Sequence, residues 1–362
     1  MKLNSVSFYN FRNNDNTILP FSEDVNVIYG KNAAGKTNIL EAVFFFAAGK
    51  SFRSCKERDM IRFTEQEARV DVTFSNKDGA QSLSVKLSKK EKKEMFRNNI
   101  QISRLSEYLG RFRAVVFTPD HLCLVKGSPE RRRKFVDIAI SQTTPKYVAL
   151  LNEYNRVLLQ KNSYLKCEEF KKDTLIEVYN ERLAHIGAQI SIRRYHYLTH
   201  MNKSAADIYS NMTSGRESLG IRYVSSVCSS IDSEEAAKQA YMTLYQSKLT
   251  LEKRYGMTVV GAHKDDFDIS INNKDARLFC SQGQQRSAVL SLKLSEGELS
   301  KQFTGEYPVF LLDDILSELD SERKGFILHN LLGKQVIITS CEDILEFNGR
   351  KILVENGKYK IN

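Results

Sequence analysis

Apolar residues recur with two different periods along this chain, and the change of period divides it into regions. In residues 2–118, apolar and polar positions alternate over short runs, for example at 70–74 and 83–87, which is typical of half-buried β-strands. From residue 119 to 255, apolar residues recur every three or four positions, which indicates helices. Strand patterns return after residue 256. The sequence therefore predicts an α/β protein with a mostly helical middle region.

Amphipathic helices are predicted in the middle region near residues 148–158, 175–190 and 236–255. Their lengths are ordinary and no long heptad repeat of apolar residues occurs, so we do not expect a long coiled coil. We expect residues 119–255 to form a helical lobe, inserted into one discontinuous α/β lobe made of residues 1–118 and 256–362. A helix predicted near 281–303 could pack with the helical lobe.

Beyond residue 256 the pattern alternates between strand and helix. The predicted elements are strands at 257–260 and 267–271, a helix at 284–303, a strand at 309–312, a helix at 321–332 and a strand at 336–339. The run at 309–312 is uninterrupted in its apolar character, as in a strand that is buried on both faces of a sheet. Asn356-Gly357 predicts a hairpin turn near the end.

A glycine-rich loop near the start of the chain carries the clearest chemical signal. It follows an apolar, β-branched run at 25–29 and precedes apolar residues at helical spacing that end at Gly49. A strand–loop–helix unit directs backbone N–H groups and a helix N-terminus at a polyphosphate, and this context favours nucleotide binding over a turn that binds nothing. The loop fits G-x-x-x-x-G-K-[ST], and the predicted nucleotide-binding residues are Gly30, Lys31, Asn32, Ala33, Ala34, Gly35, Lys36, Thr37 and Asn38.

Two carboxylates, Asp313 and Asp314, end the buried strand predicted at 309–312, where α/β sheets bind their ligands. In a phosphate-loop protein, Lys36 reaches the β- and γ-phosphates and the Thr37 hydroxyl ligates Mg²⁺. We expect Asp313 to hold the metal together with Thr37, and Asp314 to orient the attacking water. Lys36, Asp313 and Asp314 are therefore the predicted catalytic residues. The alternative is that both aspartates only cap the next turn.

A second short segment places this chain near a known superfamily. Residues 281–285 offer hydroxyl, amide and N–H groups at a helix start, between the phosphate loop and the acidic strand in sequence. That order resembles the head domain of ABC-type ATPases. The resemblance implies that Ser281, Gln282, Gly283 and Gln284 complete the nucleotide site of a second protomer, and that residues 317–320 form the acidic loop at the dimer interface. Thr339-Ser340 stands where transporters carry a histidine, which argues against a transporter cassette and leaves the γ-phosphate sensor open.

Within that superfamily the chain resembles the bacterial RecF family, through segments that occur in order along its whole length. These segments are Tyr9-Asn10-Phe11-Arg12-Asn13, Pro119-Asp120-His121-Leu122, residues 124–129, Arg131-Arg132, Phe135-Val136-Asp137, residues 261–267, residues 281–286 and residues 311–320. The departures from the family pattern are small: Ala33-Ala34 in the phosphate loop and Ala262 before His263. Neither departure removes a side chain with a predicted catalytic role.

The resemblance implies a function as well as a fold. It implies a P-loop head domain of the ABC ATPase type, with a helical second lobe and ATP and Mg²⁺ as cofactors. It further implies a weak, DNA-stimulated ATPase of DNA recombination, replication, repair and the SOS response, which dimerises with ATP. The expected partners are DNA, single-stranded and duplex, at gaps and junctions, together with RecR, RecO and RecA.

Composition agrees with a polyanionic partner. Lys and Arg number 54 against 44 Asp and Glu, a net charge of +10, which suits nucleic acid without requiring it. The six cysteines are scattered, with no C-x-x-C pair, so we expect reduced thiols in a cytoplasmic protein. No apolar leader or membrane-length apolar run occurs, so no membrane contact is expected. Two alternatives stay open: a nucleotide-dependent scaffold acting through protein partners, and an ABC-type cassette without a DNA role.

Several basic residues have more than one interpretation. Arg12 and Arg53 flank the phosphate loop, and Arg12 is included among the predicted nucleotide-binding residues. The charged runs at 89–99 and 131–134 could contact DNA phosphates or be solvated or paired structurally. His263, beside Asp265, is predicted to belong to a hydrogen-bond network, since no second His or Cys stands at metal-ligand spacing.

Overall fold

The computed structural model describes residues 1–53, 55–167, 173–225, 227, 233–342 and 349–361. The chain forms two compact units. Unit 1 consists of Met1–Leu122 and Arg286–Asn362, and unit 2 consists of Cys123–Gln285. Unit 1 is therefore built from both ends of the sequence, and unit 2 from its middle.

The secondary structure alternates in type within unit 1 and is mostly helical within unit 2. The strands are β1 (Lys2–Tyr9), β2 (Thr17–Pro20), β3 (Val25–Tyr29), β4 (Glu67–Asn76), β5 (Gly79–Ser88), β6 (Glu94–Arg97), β7 (Ile100–Ile102), β8 (Ala114–Phe117), β9 (Leu219–Val224), β10 (Asp266–Ile271), β11 (Lys274–Asp275), β12 (Val309–Asp313), β13 (Val336–Ser340), β14 (Arg350–Glu355) and β15 (Lys358–Ile361). The helices are α1 (Lys36–Ala48), α2 (Leu105–Tyr108), α3 (Cys123–Lys126), α4 (Pro129–Thr143), α5 (Lys146–Lys166), α6 (Asp173–Met212), α7 (Glu234–Tyr255), α8 (Ala276–Phe279), α9 (Gln282–Thr304) and α10 (Ser321–Asn330).

Two sheets and the helix between them make up the core of unit 1. One sheet has the order β15-β14-β3-β13-β12-β8, in which only the edge strand β15 pairs antiparallel. The other is antiparallel, with the order β2-β1-β4-β5-β6-β7. Helix α1 packs against strands of both sheets and is buried along most of its length. All of β12 is buried as well, which explains its uninterrupted apolar sequence.

A buried glutamine ties the two sheets together. The Gln335 side chain accepts from Leu3 N at 2.6 Å and donates to Leu3 O at 2.8 Å and to Ser22 O at 2.7 Å. Leu3 lies on β1, whereas Gln335 directly precedes β13. One amide therefore bonds to three backbone groups, on β1 and in the segment before β3.

Helix α6 is the central element of unit 2. It has 40 residues and packs against α4, α5, α7 and β9. Behind it, the β11-β10-β9 sheet is antiparallel. The Asp265 carboxylate, directly before β10, accepts hydrogen bonds from the Ser191 hydroxyl at 2.9 Å and from the Tyr223 hydroxyl. A buried polar network thus joins the sheet to α6.

Most local predictions are confirmed. The strand–loop–helix unit and the β14–β15 hairpin at Asn356-Gly357 are present, and the strands predicted at 70–74 and 83–87 lie in β4 and β5, which pair with each other. Gly49 and Gly256 end their helices with a left-handed backbone, at φ 68° and 63°. In the described part of the chain, α6 with 40 residues is longer than predicted. Its neighbours α5 and α7 have 21 and 22 residues, so they do not form a long coiled coil with it.

One predicted strand is absent, and one strand inside the mostly helical region was not predicted. Residues 257–260 form no strand, because side chains satisfy their backbone: Thr258 N donates to Asn162 Oδ1 at 2.7 Å and Val259 N to Glu252 Oε1 at 3.0 Å. Conversely, β9 lies inside the region predicted as helical and pairs with β10. The alternating pattern of β9 covers only six residues and lies between the long helices α6 and α7, so the helical period dominated this region.

The remaining sequence expectations concern cysteines and membrane contact. The thiols of Cys55, Cys123, Cys167, Cys280 and Cys341 are free, and Cys228 lies outside the described residues. Across the described ranges, none of the helices combines the length and the apolar character that a membrane span needs.

Candidate nucleotide-binding site

The phosphate loop connects β3 to α1, and its glycines are required by the backbone. Gly30 has φ +149°, and a Cβ placed there would lie 2.2 Å from Val354 O. Gly35 has φ +114° and directly precedes α1. Both positions disfavour any residue with a side chain. Ala33 also adopts a left-handed conformation, at φ 64°, which costs about 1 kcal/mol relative to glycine.

The Lys36 side chain lies inside the loop. Its Nζ donates to Gly30 O at 2.7 Å and to Lys31 O at 3.1 Å, and the residue is only 4% exposed. The ammonium group is therefore held where the loop closes around it. A buried cation at the N-terminus of α1 favours an anion at the same position.

Thr37, Asp313 and Thr339 form a hydrogen-bonded cluster beside the loop. The Thr37 hydroxyl donates to Asp313 Oδ1 at 2.8 Å, and the Thr339 hydroxyl donates to the same oxygen at 3.0 Å. Burial raises the pKa of the Asp313 carboxyl above its ordinary value, while both hydroxyls oppose this rise by bonding to the charged form. A hydroxyl and a carboxylate together are a donor set that suits Mg²⁺.

Asp314 follows the cluster with an unusual backbone. Its φ is +49°, and its N–H donates to the Thr339 hydroxyl at 2.9 Å. This left-handed turn ends β12 and starts the short 3₁₀ turn Ile315–Glu318. Because of this turn, the chain leaves the direction of β12 at Asp314, and Asp314 lines the cavity next to the loop. Non-glycine residues in this conformation are uncommon and occur often at functional sites.

Residues of the loop, together with Asp314, line a cavity within unit 1. Its volume is about 240 Å³, and it is lined by Asn32, Ala33, Gly35, Lys36, Thr37, Asn38, Arg53 and Asp314. A second cavity of about 1000 Å³ shares Asn38 and Arg53 with it. The small cavity has the polar lining that phosphates need, and the larger one has room for a nucleoside.

Arg12 is bonded to a carboxylate that sequence reasoning missed. Its Nε and Nη2 donate to the two oxygens of Glu41 at 3.1 and 2.8 Å, and its Nη1 donates to Asp59 O at 2.7 Å. The Glu41 side chain is fully buried in α1, one turn after Thr37. Arg12 lines the larger cavity, whereas Arg53 lines both. The signal for Glu41 was a single acidic residue in the otherwise apolar stretch 39–48 of α1.

Glu41 also anchors the segment that follows α1. It accepts a hydrogen bond from the Ser51 hydroxyl, and Arg53 Nη1 lies 3.6 Å from its Oε2. Arg53 Nη1 further donates to Asn38 Oδ1 at 2.9 Å. The buried carboxylate therefore fixes the side chains of two arginines that line these cavities.

Replacing Glu41 with alanine is expected to lower the free energy of unfolding by about 2–4 kcal/mol. The change removes the carboxylate from a largely buried pair, so that Arg12 loses the acceptors of its Nε and Nη2 and keeps the bond from Nη1 to Asp59 O. Urea denaturation would measure the loss. The matched control is Glu153→Ala, which breaks the exposed pair with Arg182 and should cost less than about 1 kcal/mol. Equal losses in the two variants would contradict the role of Glu41.

The 281–285 segment lies in unit 2 and begins helix α9. Ser281 Oγ accepts from Gln284 N at 3.2 Å, and Ser281 N donates to Gln284 Oε1 at 2.9 Å, which is a capping box. Gln284 Nε2 also donates to Glu217 Oε1 at 2.7 Å. Ser281 and Gln282 are exposed, and Gly283 is half-buried. The segment therefore presents a helix N-terminus and polar side chains to solvent in the single chain.

The acidic loop at 317–320 is fixed within unit 1. Arg286 Nη1 donates to Glu318 O at 2.6 Å, and its Nη2 donates to Glu318 Oε2 at 3.2 Å. Asp320 caps α10 by accepting from Arg323 N at 2.9 Å. Arg286, the last residue of the family segment in α9, thus holds the loop that follows the 3₁₀ turn after Asp314.

The charged runs divide into structural and exposed residues. Arg132 is buried and donates to both oxygens of Asp266, each at 2.7 Å, so structural pairing explains this residue. In the 89–99 run, Lys93 pairs with Glu57, whereas Lys90 and Lys92 are exposed. The arginine run is therefore partly a stabilising element of unit 2.

His263 belongs to a hydrogen-bond network. Its Nδ1 lies 2.9 Å from the Tyr154 hydroxyl, and its Nε2 lies 3.3 Å from Thr258 O. Burial lowers the pKa of His263 to about 4. The imidazole is therefore neutral at physiological pH and joins α5 to the turn before β10.

This buried histidine predicts a pH dependence of stability. An unfolded histidine has a pKa near 6.5, so below that pH the unfolded chain binds a proton that the folded chain does not bind until about pH 4. The free energy of unfolding should therefore fall as the pH falls through this window, by about 2 kcal/mol from His263 between pH 7.5 and 5. Urea denaturation of His263→Gln should show a decline smaller by this amount.

The exposed His329 on α10 supplies the control for this experiment. His329→Gln should lose stability toward pH 5 as steeply as the unaltered protein. If His263→Gln declined as steeply too, the buried imidazole would not be the source of the effect.

The comparison with known proteins identifies the family. The model of the RecF/RecN/SMC N terminal domain matches residues 2–353. The DNA replication and repair protein RecF of Geobacillus sp. (strain WCH70) is 39% identical over 367 residues, which cover 100% of this chain and 97% of the relative. The chain belongs to the RecF family. RecF of Clostridium acetobutylicum is 37% identical, over 99% of both chains.

Solved structures agree with this assignment and with the predicted fold. Two structures of the recombination mediator protein RecF in the RecFOR pathway, RecF-ATP and RecF-ATPrS, each match with a TM-score of 0.94 and 36% identity. They cover 100% and 99% of this chain, and 97% of each RecF chain is matched. The SmcHead bound to the C-winged helix domain of ScpA matches at 17% identity with a TM-score of 0.57, over 100% of this chain and 97% of the SmcHead, and so shares the fold alone. The family resemblance and the head-domain fold predicted from the sequence are therefore confirmed.

Proposed function

We propose that this chain is an ATP-dependent DNA-binding protein of recombinational repair that hydrolyses ATP weakly. The observation that carries the proposal is the cluster in unit 1, where Thr37 and Asp313 are bonded to each other beside the buried Lys36 ammonium. Membership of the RecF family, whose relatives are named for DNA replication and repair, supports the biological setting.

The residues present fit ATP and Mg²⁺. Gly30 leaves no room for a Cβ, and Gly35 supplies a backbone that few other residues adopt, so the loop can approach a phosphate closely. The cavity of about 240 Å³ would take the phosphates, and the larger cavity next to it, which shares Asn38 and Arg53, would take the nucleoside. Thr37 and Asp313 would hold Mg²⁺, which when bound neutralises phosphate charge.

Each residue of the cluster would have one task in hydrolysis. Lys36 and the loop N–H groups would bind the β- and γ-phosphates and stabilise the charge that develops on them. Asp314, which lines the cavity, would orient the attacking water and accept its proton. Thr339 would keep the Asp313 carboxylate in place through its hydroxyl. The proposal gives Thr339 a positioning role, and it gives Arg12 the role of fixing Glu41 of α1.

The exposed start of α9 supports an ATP-dependent homodimer. Ser281, Gln282, Gly283 and Gln284 would contact the γ-phosphate bound by the partner protomer, which would make the dimer depend on the triphosphate. The Ser281 hydroxyl accepts from Gln284 N in the single chain, and its lone pairs and proton allow further bonds. Binding of ATP and dimerisation would therefore be coupled.

The chain would hold DNA through the DNA phosphates and would act there with partner proteins. The net charge of +10 supports contacts to single-stranded and duplex DNA that read structure, such as gaps and junctions, more than sequence. RecO and RecR are proposed partners because the matched structures belong to the RecFOR pathway. RecA loading on gapped DNA would be the outcome.

The test is binding of a gapped duplex and of a plain duplex, with ATP and without, at two salt concentrations. Tighter binding of the gapped duplex only with ATP, falling steeply as salt rises, is the expected result. Binding that ignores the nucleotide would refute the ATP-dependent clamp. No binding of either DNA would leave a nucleotide-dependent scaffold that acts through protein partners.

A further inference from the structure

A phenylalanine ring stands in solvent at one end of the antiparallel sheet of unit 1. The Phe63 side chain is 95% exposed, more than any other large apolar side chain in the described ranges. It belongs to the turn at 62–66, which leads into β4. An exposed apolar residue is common by itself, so the surroundings of the ring decide whether it has a function.

Hydrogen bonds hold the backbone that carries this ring. Lys89 Nζ donates to Phe63 O at 3.0 Å, and Lys89 N donates to Gln66 O at 3.0 Å. Arg62 N donates to Asn10 O at 2.8 Å. Lys89 directly follows β5 and Asn10 directly follows β1, so the sheet fixes the turn. A ligand that covers the ring therefore does not have to order the turn first.

Cations line the cavity on whose rim the ring lies. Arg58, Arg62 and Lys89 are lining residues of the larger cavity of unit 1, as is Phe63. Among the described residues of this lining, Asp59 is the one carboxylate, and its Oδ1 lies 3.8 Å from Arg58 Nε. The surface beside the ring therefore carries an excess of positive charge.

The positive charge continues along the connection from β5 to β6. Residues 89–93 contain four lysines and one glutamate. The run begins at Lys89, whose side chain bonds to Phe63 O, and continues through the exposed Lys90 and Lys92. An aromatic face and a row of cations thus lie at the same end of the sheet.

The exposure of the ring favours a DNA base over the base of ATP as its ligand. A side chain that forms the wall of a nucleoside pocket is partly covered by that pocket, whereas Phe63 is covered almost nowhere. Phe63 lines the larger cavity but not the small cavity that would take the phosphates. The ring is therefore open to a ligand that approaches from solvent. In a duplex the base faces are stacked inside, so an unpaired base is needed to cover the ring.

We infer that Phe63 stacks on an unpaired base of single-stranded DNA, while the exposed lysines at 89–92 bind the phosphates beside that base. The inference rests on the proposed function and names the single-stranded side of a gap as the ligand of this surface. Stacking accepts every base, since each base has an aromatic face, and lysines bind the phosphates of any sequence. The surface thus recognises a gap by its unpaired bases and not by its sequence.

The first test uses the absence of tryptophan from the chain, because Phe63→Trp then supplies a single indole at the site. The full-length variant, with a slowly hydrolysed ATP analogue, is titrated with a single-stranded oligonucleotide, an abasic strand of the same length and a complete duplex. A base that stacks on indole quenches its fluorescence. We expect quenching by the single strand alone. Equal quenching by all three DNAs, or no quenching by a single strand that binds, would overturn the inference.

The second test measures the contribution of the ring to affinity, by anisotropy of a fluorescent gapped duplex. Phe63→Ala should weaken binding by about fivefold to a hundredfold, the effect of one base stacked on an aromatic ring. Phe63→Leu, which stays apolar, should lose a similar factor, whereas Phe63→Tyr should keep the affinity. Binding of a complete duplex should change less than about twofold in each variant. Equal losses for the two DNAs would contradict the stacking.

The lysines are tested through the salt dependence of single-strand binding. Lys90→Gln/Lys92→Gln removes two proposed phosphate contacts and should reduce the slope of log K against log salt by about 1.4. The matched control is Lys358→Gln/Lys360→Gln, which removes two exposed lysines from the edge strand β15 of the same unit and should leave the slope unchanged. The same slope in both double variants would remove the lysines at 89–92 from the proposed contact.

Binding of the labelled ATP analogue without DNA separates the two possible sources of a base. Phe63→Ala should bind the analogue as the unaltered protein does. A loss of analogue affinity as large as the loss of DNA affinity would place the base of ATP on the ring and overturn the inference. Absence of DNA binding by the unaltered protein would instead refute the proposed function itself, so the two failures are distinguishable.

Discussion

Lys36→Arg is expected to reduce ATP turnover by about a hundredfold to a thousandfold, while ATP binding weakens about tenfold or less. The lysine ammonium is buried between Gly30 O and Lys31 O, at 2.7 and 3.1 Å, in a space shaped for a compact cation. Arginine keeps the charge but is longer and planar, so its charge cannot occupy the same point. Loss of one well-placed group that stabilises developing charge typically costs this much turnover, whereas one weakened hydrogen bond costs far less in binding.

Steady-state phosphate release and equilibrium binding of a labelled ATP analogue measure the two effects separately. Lys360→Arg is the matched control, because it is the same substitution at an exposed position of the edge strand β15 in the same unit, outside the site, and should leave turnover unchanged. A thermal melt of each variant shows whether the larger side chain at position 36 has destabilised unit 1, as overpacking can. Undiminished turnover by a folded Lys36→Arg protein would remove Lys36 from its assigned role.

The parts of the site that could be predicted are those with a local signal. The phosphate loop was readable because an apolar strand, a glycine pattern and a helical period follow one another within about twenty-five residues. Asp313 was readable because it directly follows an uninterrupted apolar run at 309–312. In each case the deciding information lies next to the residue in sequence, and the backbone conformations at Gly30 and Gly35 follow from that information.

The parts that could not be predicted depend on contacts between distant residues. Thr339 bonds to Asp313 because β12 and β13 pair in parallel with these two residues in register, which the single sequence does not state. Arg12 bonds to Glu41, 29 residues away, instead of lining the small cavity. Residues 257–260 have a strand-like pattern, but Asn162 and Glu252 satisfy their backbone donors. In all three places a tertiary partner decided what the local pattern left open.

These tertiary contacts also explain why the site can act as a unit. Asp313 is joined to α1 through Thr37 and to β13 through Thr339, and Glu41 joins α1 to the arginines at both ends of the loop region. A shift of α1 would therefore move Thr37, its bonded partner Asp313 and Arg53 together. Such coupling would let one bound nucleotide order a large part of unit 1.

Ser281→Arg is expected to abolish the ATP-dependent dimer while ATP binding by the single chain is retained. The residue is exposed at the start of α9, in the segment that the proposed dimer requires to contact the partner's nucleotide. A long cation there would fill the space and leave a charge that the interface cannot pair, at a cost of about 3 kcal/mol or more, which is at least about a hundredfold in dimer affinity. Sedimentation velocity with a slowly hydrolysed ATP analogue measures the dimer.

The control for this variant is Ser233→Arg, which matches it in residue type and in local role. Ser233 is the exposed cap of α7 in the same unit, and its side chain accepts from Ala236 N at 3.1 Å, as Ser281 accepts from Gln284 N. Both substitutions therefore remove a helix cap, which costs about 1 kcal/mol of stability, and add the same charge. Only Ser281→Arg should prevent dimerisation, because only its side chain belongs to the proposed interface. A normal ATP-dependent dimer of Ser281→Arg would show that the start of α9 does not contact the partner's nucleotide.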